Sequence, residues 1–290
     1  MVILANQILD HEIIFFCDDK SELGYNKIAQ NNYPVHIQKT DNLVQEIISL
    51  NPDVVINDRL DTSLSDVNPY KEKGIQVVNF EDLGEGASQA DLVFNAIYPE
   101  NEKLENHFFG PEYFCARDEF ILTKPAEISD NVNNVLITFG GVDPNNYTLK
   151  VLESIYDLCS GNGIQINIVA GLGYTKYDEL EKFDGISIHQ NVSNISDFMH
   201  AADIAFTSAG RTTYELALMG VPSIVMAQNE REMTHFFASE QYGFDNLGLG
   251  TEVSNSKIQS SFLALIGSKQ SRIAMREKMF SVDLRNGKNR

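Results

Sequence analysis

Asp203-Ile-Ala-Phe-Thr-Ser-Ala-Gly-Arg-Thr-Thr-Tyr-Glu215, running on into Leu216-Ala-Leu-Met-Gly-Val-Pro222, reads as strand, small-residue turn, helix, turn and strand. An apolar run that breaks into small hydroxyl residues and leads straight into a helix is one repeat of a parallel α/β sheet. The turn over 208–213 is poor in bulk, so its backbone amides and the start of the helix can approach an anion closely. A phosphate fits there. Glu215 follows on the first turns of the helix, where a carboxylate beside a phosphate would be repelled. Its natural partner is a neutral hydroxyl donor such as a ribose. Ser208, Ala209, Gly210, Arg211, Thr212, Thr213 and Glu215 are therefore candidate ligand residues.

The same alternation extends in both directions. Upstream, strands are expected at 13–17, 35–37, 54–57, 76–79 and 92–95, with helices at 21–31, 41–50 and 65–73. After the polar stretch 125–133 a second series begins with the strand 134–139. It continues with helices at 146–159, 176–182, 195–201 and 231–242 and strands at 165–170, 186–189, 204–206 and 223–226. The period from 257 to 284 is helical. The expected organisation is a first Rossmann-like domain over 1–125, a nucleotide-binding Rossmann-like domain over 126–265, and a C-terminal helical segment, 266–290, packing back on the first domain. The chain opens with a helical period over 2–9 that runs directly into a strand. Doubly wound domains open with a strand and a ligand-binding turn, so the first domain is expected to lack its first strand.

Two further turns share the character of 208–213. Phe139-Gly-Gly-Val-Asp-Pro144 follows an apolar strand and precedes a helix, with proline at a favoured first-turn position. Gly140 and Gly141 permit close backbone approach to a ligand, and Asp143 is added as a polar candidate; alone, the motif is also an ordinary tight turn. Gln228-Asn-Glu230 ends the strand 223–226 and offers amides and a carboxylate to a base or sugar, or a helix cap. His235, downstream, is a candidate acid or base. Gly171-Leu-Gly173 lacks a third glycine and reads only as a turn.

Composition narrows the function classes. Forty-one acidic against 22 basic side chains give a net charge of −19, which disfavours nucleic acid and anionic membranes. An anionic ligand must be met by local donors. Three cysteines without CxxC spacing read as reduced thiols of a cytoplasmic protein. No apolar run approaches the roughly 20 residues that span a bilayer, and no membrane insertion is expected. The six histidines form no HExxH or His/Cys cluster and Asp-x-Asp is absent, so neither a metal nor a cofactor is expected.

At these residues the chain resembles the UDP-sugar hydrolases of the pseudaminic-acid pathway and their spore-coat-polysaccharide relatives. The matching pieces are Gly110-Pro-Glu-Tyr113 with Arg117 and Phe120, then 135–144, then Ser208 to Glu215 with Gly220-Val-Pro222. The last block is similar, more distantly, to the donor site of the lipid-linked N-acetylglucosaminyltransferase of peptidoglycan synthesis. The resemblance implies a GT-B architecture, two Rossmann-type domains facing a cleft, with a UDP-sugar held by the second domain. Diphosphate would lie at 208–213 and ribose near Glu215. It implies hydrolysis of a UDP-amino sugar in surface-glycan or nonulosonic-acid biosynthesis, with two alternatives: a metal-independent glycosyltransferase, or a nucleotide-sugar-binding module fused to a cytidylyltransferase. The family opens with Gly-x-Gly-His-x-x-Arg, whose histidine sits at the reacting centre. That motif is absent here, and Asn229-Glu230 stands where relatives carry Asn-Gln. The catalytic residue is thus unassigned, and this chain is expected to bind more readily than it turns over.

Overall fold

The computed structural model describes residues 1–8, 10–18, 20–100 and 104–290. The chain divides into two compact units, Met1–Cys115 with Lys288–Arg290, and Ala116–Gly287. The division precedes the polar stretch 125–133 by ten residues, because that stretch is held by the second unit's own arginines, as described below.

The first unit runs α1 (Val2–Ala5), β1 (Phe15–Cys17), α2 (Glu22–Ala29), β2 (Val35–Ile37), α3 (Leu43–Ile48), β3 (Val54–Asn57), α4 (Leu64–Glu72), β4 (Gln76–Phe80), β5 (Leu92–Asn95) and β6 (His107–Phe109). The opening helix is shorter than the period 2–9, whose last residue lies outside the described residues. All pairings are parallel, but they fall into two sheets, β1-β2 and β3-β4-β5-β6. Among the described residues β1 and β3 each pair along one edge only. Val55, Val77 and Val93 of the larger sheet meet Val67 and Tyr70 of α4 in a buried cluster. The other face carries Phe80, Phe94 and Phe108 in register across three strands, ring centroids 5.3 and 5.2 Å apart; such cross-strand pairs are the unit of sheet stabilisation.

The second unit runs α5 (Asp118–Leu122), β7 (Asn134–Ile137), α6 (Tyr147–Asn162), β8 (Gln165–Ala170), α7 (Tyr177–Leu180), β9 (Ser187–Gln190), α8 (Ile195–Ala201), β10 (Ile204–Thr207), α9 (Thr212–Met219), β11 (Ser223–Ala227), β12 (Phe244–Leu249), α10 (Asn255–Ile266) and α11 (Lys269–Phe280). Its sheet has the order β12-β11-β10-β7-β8-β9 and is parallel throughout. The chain direction across the sheet reverses between β7 and β10, a topological switch point of the kind where doubly wound folds bind ligands. Every residue of β10 and β11 is buried, as sheets covered by helices on both faces require. Ile137, Ile168, Phe206 and Ile224 pack with Val151 and Ile155 of α6 and Phe262 of α10.

Two expectations change. In place of the helix 231–242 are two short 3-10 turns, Glu232–Thr234 and Glu240–Tyr242. His235 between them is extended, and Phe237 enters the core against Tyr214 and Phe244. The helical period 257–284 is two helices, broken at Gly267-Ser268, where Ser268 caps α11 through a bond from the Ser271 amide. α11 lies within the second unit. Arg272, 1% exposed, donates to the carbonyls of Leu265, Ile266, Ser129 and Asp130, and Arg276 donates to those of Gly220 and Ala126. A buried guanidinium must find acceptors; here the supposed linker supplies them.

Candidate functional site

Three of the turns singled out in the sequence follow three adjacent strands: Gly140-Gly141 after β7, Ser208–Thr213 after β10 and Gln228–Glu230 after β11. All lie at carboxyl ends, on either side of the switch point. Gly140 has φ +79°, and a Cβ built there would lie 3.9 Å from Oγ1 of Thr212, at the start of α9. The β7 and β10 turns therefore border one another.

Gly171 completes this floor. A Cβ on it would lie 2.4 Å from the carbonyl oxygens of both Gly140 and Gly141, and the Gly173 amide donates to Gly141 O at 2.9 Å. The turn after β8, dismissed in the sequence as a plain turn, is the support on which the glycine pair rests. Asp143 is buried, its Oδ1 accepting from the Tyr147 amide and its Oδ2 from the Thr148 amide, so it caps α6. Oδ1 also accepts from Nε2 of Gln228 at 2.8 Å. Asn145 Nδ2 donates to both the side-chain and main-chain oxygens of Gln228. Asp143 and Gln228 thus lock the β7 turn to the β11 turn. Asn229 accepts from the Glu232 amide, and Glu230 is exposed.

The 208–213 turn is clamped from the segment after β11 through one residue. The Ala209 amide donates to Oε2 of Glu232 at 3.2 Å, and Nδ1 of His235 donates to the Ala209 carbonyl at 2.8 Å. A carbonyl only accepts, so this bond places a proton on Nδ1. Burial holds the imidazole below the ordinary histidine value, against the opposing effect of the Ala209 bond, and favours the neutral ring. Glu232 Oε2 also accepts from the Gln228 amide at 2.8 Å. Two amides from neighbouring strand ends therefore converge on one anionic oxygen. Burial pushes the Glu232 carboxyl up, against the opposing effect of those two amides. Thr213 Oγ1 donates to the Gly210 carbonyl, shaping the turn into α9.

Glu215, 15% exposed, lies on the first turn of α9. Its Oε1 accepts from both Nε (3.1 Å) and a terminal nitrogen (2.9 Å) of Arg117, and neither contact uses Oε2. Arg117 also pairs with Glu119 at 2.6 Å, while Glu119 accepts from the Ser196 amide at the start of α8. Burial pushes the Glu215 carboxyl up; Arg117 opposes it, and Arg211 does so to a smaller extent. Glu232 and the Arg117–Glu215 pairing escaped the sequence reading: an acidic residue in a polar loop carries no local pattern, and the pair spans 98 positions. Among the described residues no cluster of His, Cys, Asp and Glu could hold a metal, and no helix is long and apolar enough to cross a membrane.

No protein-family profile matches the chain. An uncharacterized protein of Methanocaldococcus jannaschii, MJ1062, is 33% identical over 253 residues, which are 78% of this chain and 51% of that protein. The chain thus spans about half the length of this relative. The spore coat polysaccharide biosynthesis protein SpsG of Bacillus subtilis is 25% identical over 78% of this chain and 73% of its own length. A Helicobacter pylori protein named as both pseudaminic acid cytidylyltransferase and UDP-2,4-diacetamido-2,4,6-trideoxy-beta-L-altropyranose hydrolase is 22% identical over 72% of this chain and 40% of its own length. Among solved structures, MurG of Acinetobacter baumannii superposes with a TM-score of 0.69 at 14% identity, covering 99% of this chain and 92% of MurG. MnaA of S. aureus, solved with UDP, gives 0.70 at 12% identity over 98% and 90%. At such identities the likeness is one of fold. The chain has the GT-B fold, each unit Rossmann-like.

Proposed function

We propose that this chain binds a UDP-sugar at the carboxyl ends of β7, β10 and β11 and serves glycan biosynthesis as a nucleotide-sugar hydrolase. The observation that carries this reading is the convergence of the Ala209 and Gln228 amides on a single anionic oxygen beside the switch point. Amides so arranged suit a phosphoryl oxygen as well as a carboxylate. Glu215, one helical turn along and anchored through Oε1, keeps Oε2 for a ribose hydroxyl. Gly140 and Gly141 leave room for the rest of the ligand to lie against the backbone.

In the reaction, water forms a bond to the anomeric carbon as the bond from that carbon to the diphosphate oxygen breaks; UDP leaves with the bonding pair, and the proton shed by the attacking water passes to solvent. Backbone donors fixed at the diphosphate would stabilise the charge that develops there without reorganisation. His235, neutral and bonded to Ala209, holds the turn and is not assigned as the base. Hydrolysis is favoured over transfer by the activity named for the Helicobacter pylori relative, whose second named activity also motivates a cytidylyltransferase as a fused or associated partner.

Calorimetric titration with UDP, UMP and uridine tests the site. UDP is expected to bind more tightly than UMP, and uridine to give no measurable heat. Glu215→Ala should weaken UDP by about tenfold, the loss of roughly one charge-assisted hydrogen bond. Equal affinity for uridine and UDP, or an unchanged Glu215→Ala variant, would overturn the assignment. Release of UDP from a UDP-sugar without acceptor separates hydrolase from transferase.

A further inference from the structure

Glu232 occupies the place that the proposed function gives to a phosphoryl group. Its Oε2 takes both converging amides, Ala209 at 3.2 Å and Gln228 at 2.8 Å. Its Oε1 lies over Gly210, 3.6 Å from where a Cβ would stand. The carboxylate is brought there by its own turn: Asn229 Oδ1 accepts from the Glu232 amide at 3.0 Å, closing a short 3-10 segment that ends at His235. Two donors of adjacent parallel strands cannot serve a carboxylate and a phosphate with the same protons at once. A diphosphate carries the same sign as Glu232, so the two also repel at contact distance.

We propose that Glu232 is a built-in competitor of the ligand: its carboxylate stands in for a phosphoryl oxygen on the Ala209 and Gln228 amides, and a nucleoside diphosphate binds only as that carboxylate takes up a proton and yields the amides. This rests on the donor-site reading and deepens it, naming the anion-binding atoms and the residue that governs access to them. Tyr147 at the start of α6 feels the charge of Glu232, as burial and Asp143 also hold that phenol protonated. Asp143 touches the far side of Gln228. His235 sits on the Ala209 carbonyl and feels the charge of Arg231, the sequence neighbour of Glu232.

The coupling has a definite sign. A protonated Glu232 is a poor acceptor for amides and does not repel a diphosphate, and a bound diphosphate makes protonation easier still. Binding therefore takes up a proton, and affinity rises as pH falls through the carboxyl's raised value. A diphosphate diester such as UDP-glucose keeps its own charge across this range, which makes it a cleaner probe than UDP.

The test is the affinity for UDP-glucose of the wild type, Glu232→Gln and Glu232→Ala at several values from about pH 5 to about pH 8, with circular dichroism to verify folding. Inorganic pyrophosphate is titrated in parallel, read on the amide resonances of Ala209 and Gln228. The wild type should tighten toward acid pH. Both variants should bind about tenfold or more tightly than wild type at neutral pH and lose the pH dependence. Variants that bind UDP-glucose as the wild type does, or more weakly, overturn the competitor role and leave the donor site standing. A pH dependence that persists in Glu232→Gln assigns the titration to His235 and likewise overturns it. Pyrophosphate shifting both amides in the variants, without any binding of UDP-glucose, leaves the competitor role standing and removes the donor-site reading.

Discussion

Burial disfavours the charge on Glu215, and the cation that answers it is Arg117, two of whose nitrogens reach the same oxygen. Such a pair is worth more intact than either half is alone, because removing the cation leaves a largely buried carboxylate without a partner. Arg117 is itself 38% exposed, which moderates the effect through solvent screening. Arg117→Ala is expected to destabilise the chain by about 1–3 kcal/mol, and Glu215→Gln to recover part of that loss in the double variant. Urea denaturation of the four species measures the coupling; strictly additive changes would show that the pair contributes nothing. The folded carboxyl is raised, so its contribution is present below the unfolded value and is lost as pH rises through the folded one. Without Arg117 the value climbs further. The deficit of Arg117→Ala should thus be largest near neutrality and shrink on acidification. None of this pairing is visible along the chain, where Arg117 is marked only by its likeness to a family motif.

At the scale of elements, legibility followed burial. The runs 134–137, 204–207 and 223–227 are apolar on both faces, so their strands stand out against the amphipathic helices between them. β12 was missed because Asp245, Asn246 and Gly248 interrupt its apolar pattern at a sheet edge. The segment 231–242 mimics a helix, yet Phe237 must turn into the core, and the chain stays extended at His235 to let it. The three turns of the candidate site were legible as small-residue breaks after strands, whereas the role of Gly171 was not, since what it meets is backbone from another turn. Gly171→Ala is expected to cost about 1–3 kcal/mol, as the added carbon would force the Gly140-Gly141 turn to move, and to weaken UDP binding with it. Gly161, inside α6, has nothing within 4 Å of such a carbon. Gly161→Ala should instead stabilise by roughly 0.5 kcal/mol through helix propensity. Paired thermal melts of the two variants check both signs; equal shifts would refute the crowding at Gly171.

At the scale of the whole molecule, the two units are unequally built. The second has a six-stranded sheet covered on both faces, with strands of four to six residues and a core that draws on β7, β8, β10, β11, α6 and α10. In the first, β1 and β2 are three-residue strands with no fully buried position, and α2 buries none of its residues. Local opening costs least where few apolar contacts are lost and backbone hydrogen bonds face water. The larger sheet of the first unit, with its phenylalanine ladder and the cluster under α4, falls between these extremes. Hydrogen–deuterium exchange should therefore resolve three tiers. Peptides over 12–40 are expected to exchange at least about tenfold faster than those over 54–95. Peptides over 134–138, 204–207 and 223–227 should be the slowest, opening only with the unit that carries the candidate site. Uniform protection across the chain would mean that the short β1-β2 sheet opens only in global unfolding, and its shallow burial would then be no guide to its stability. A nucleoside diphosphate added at saturation adds a second reading. Ligand binding stabilises only openings that abolish the site, so protection should rise in the second unit's strands and stay unchanged over 12–40.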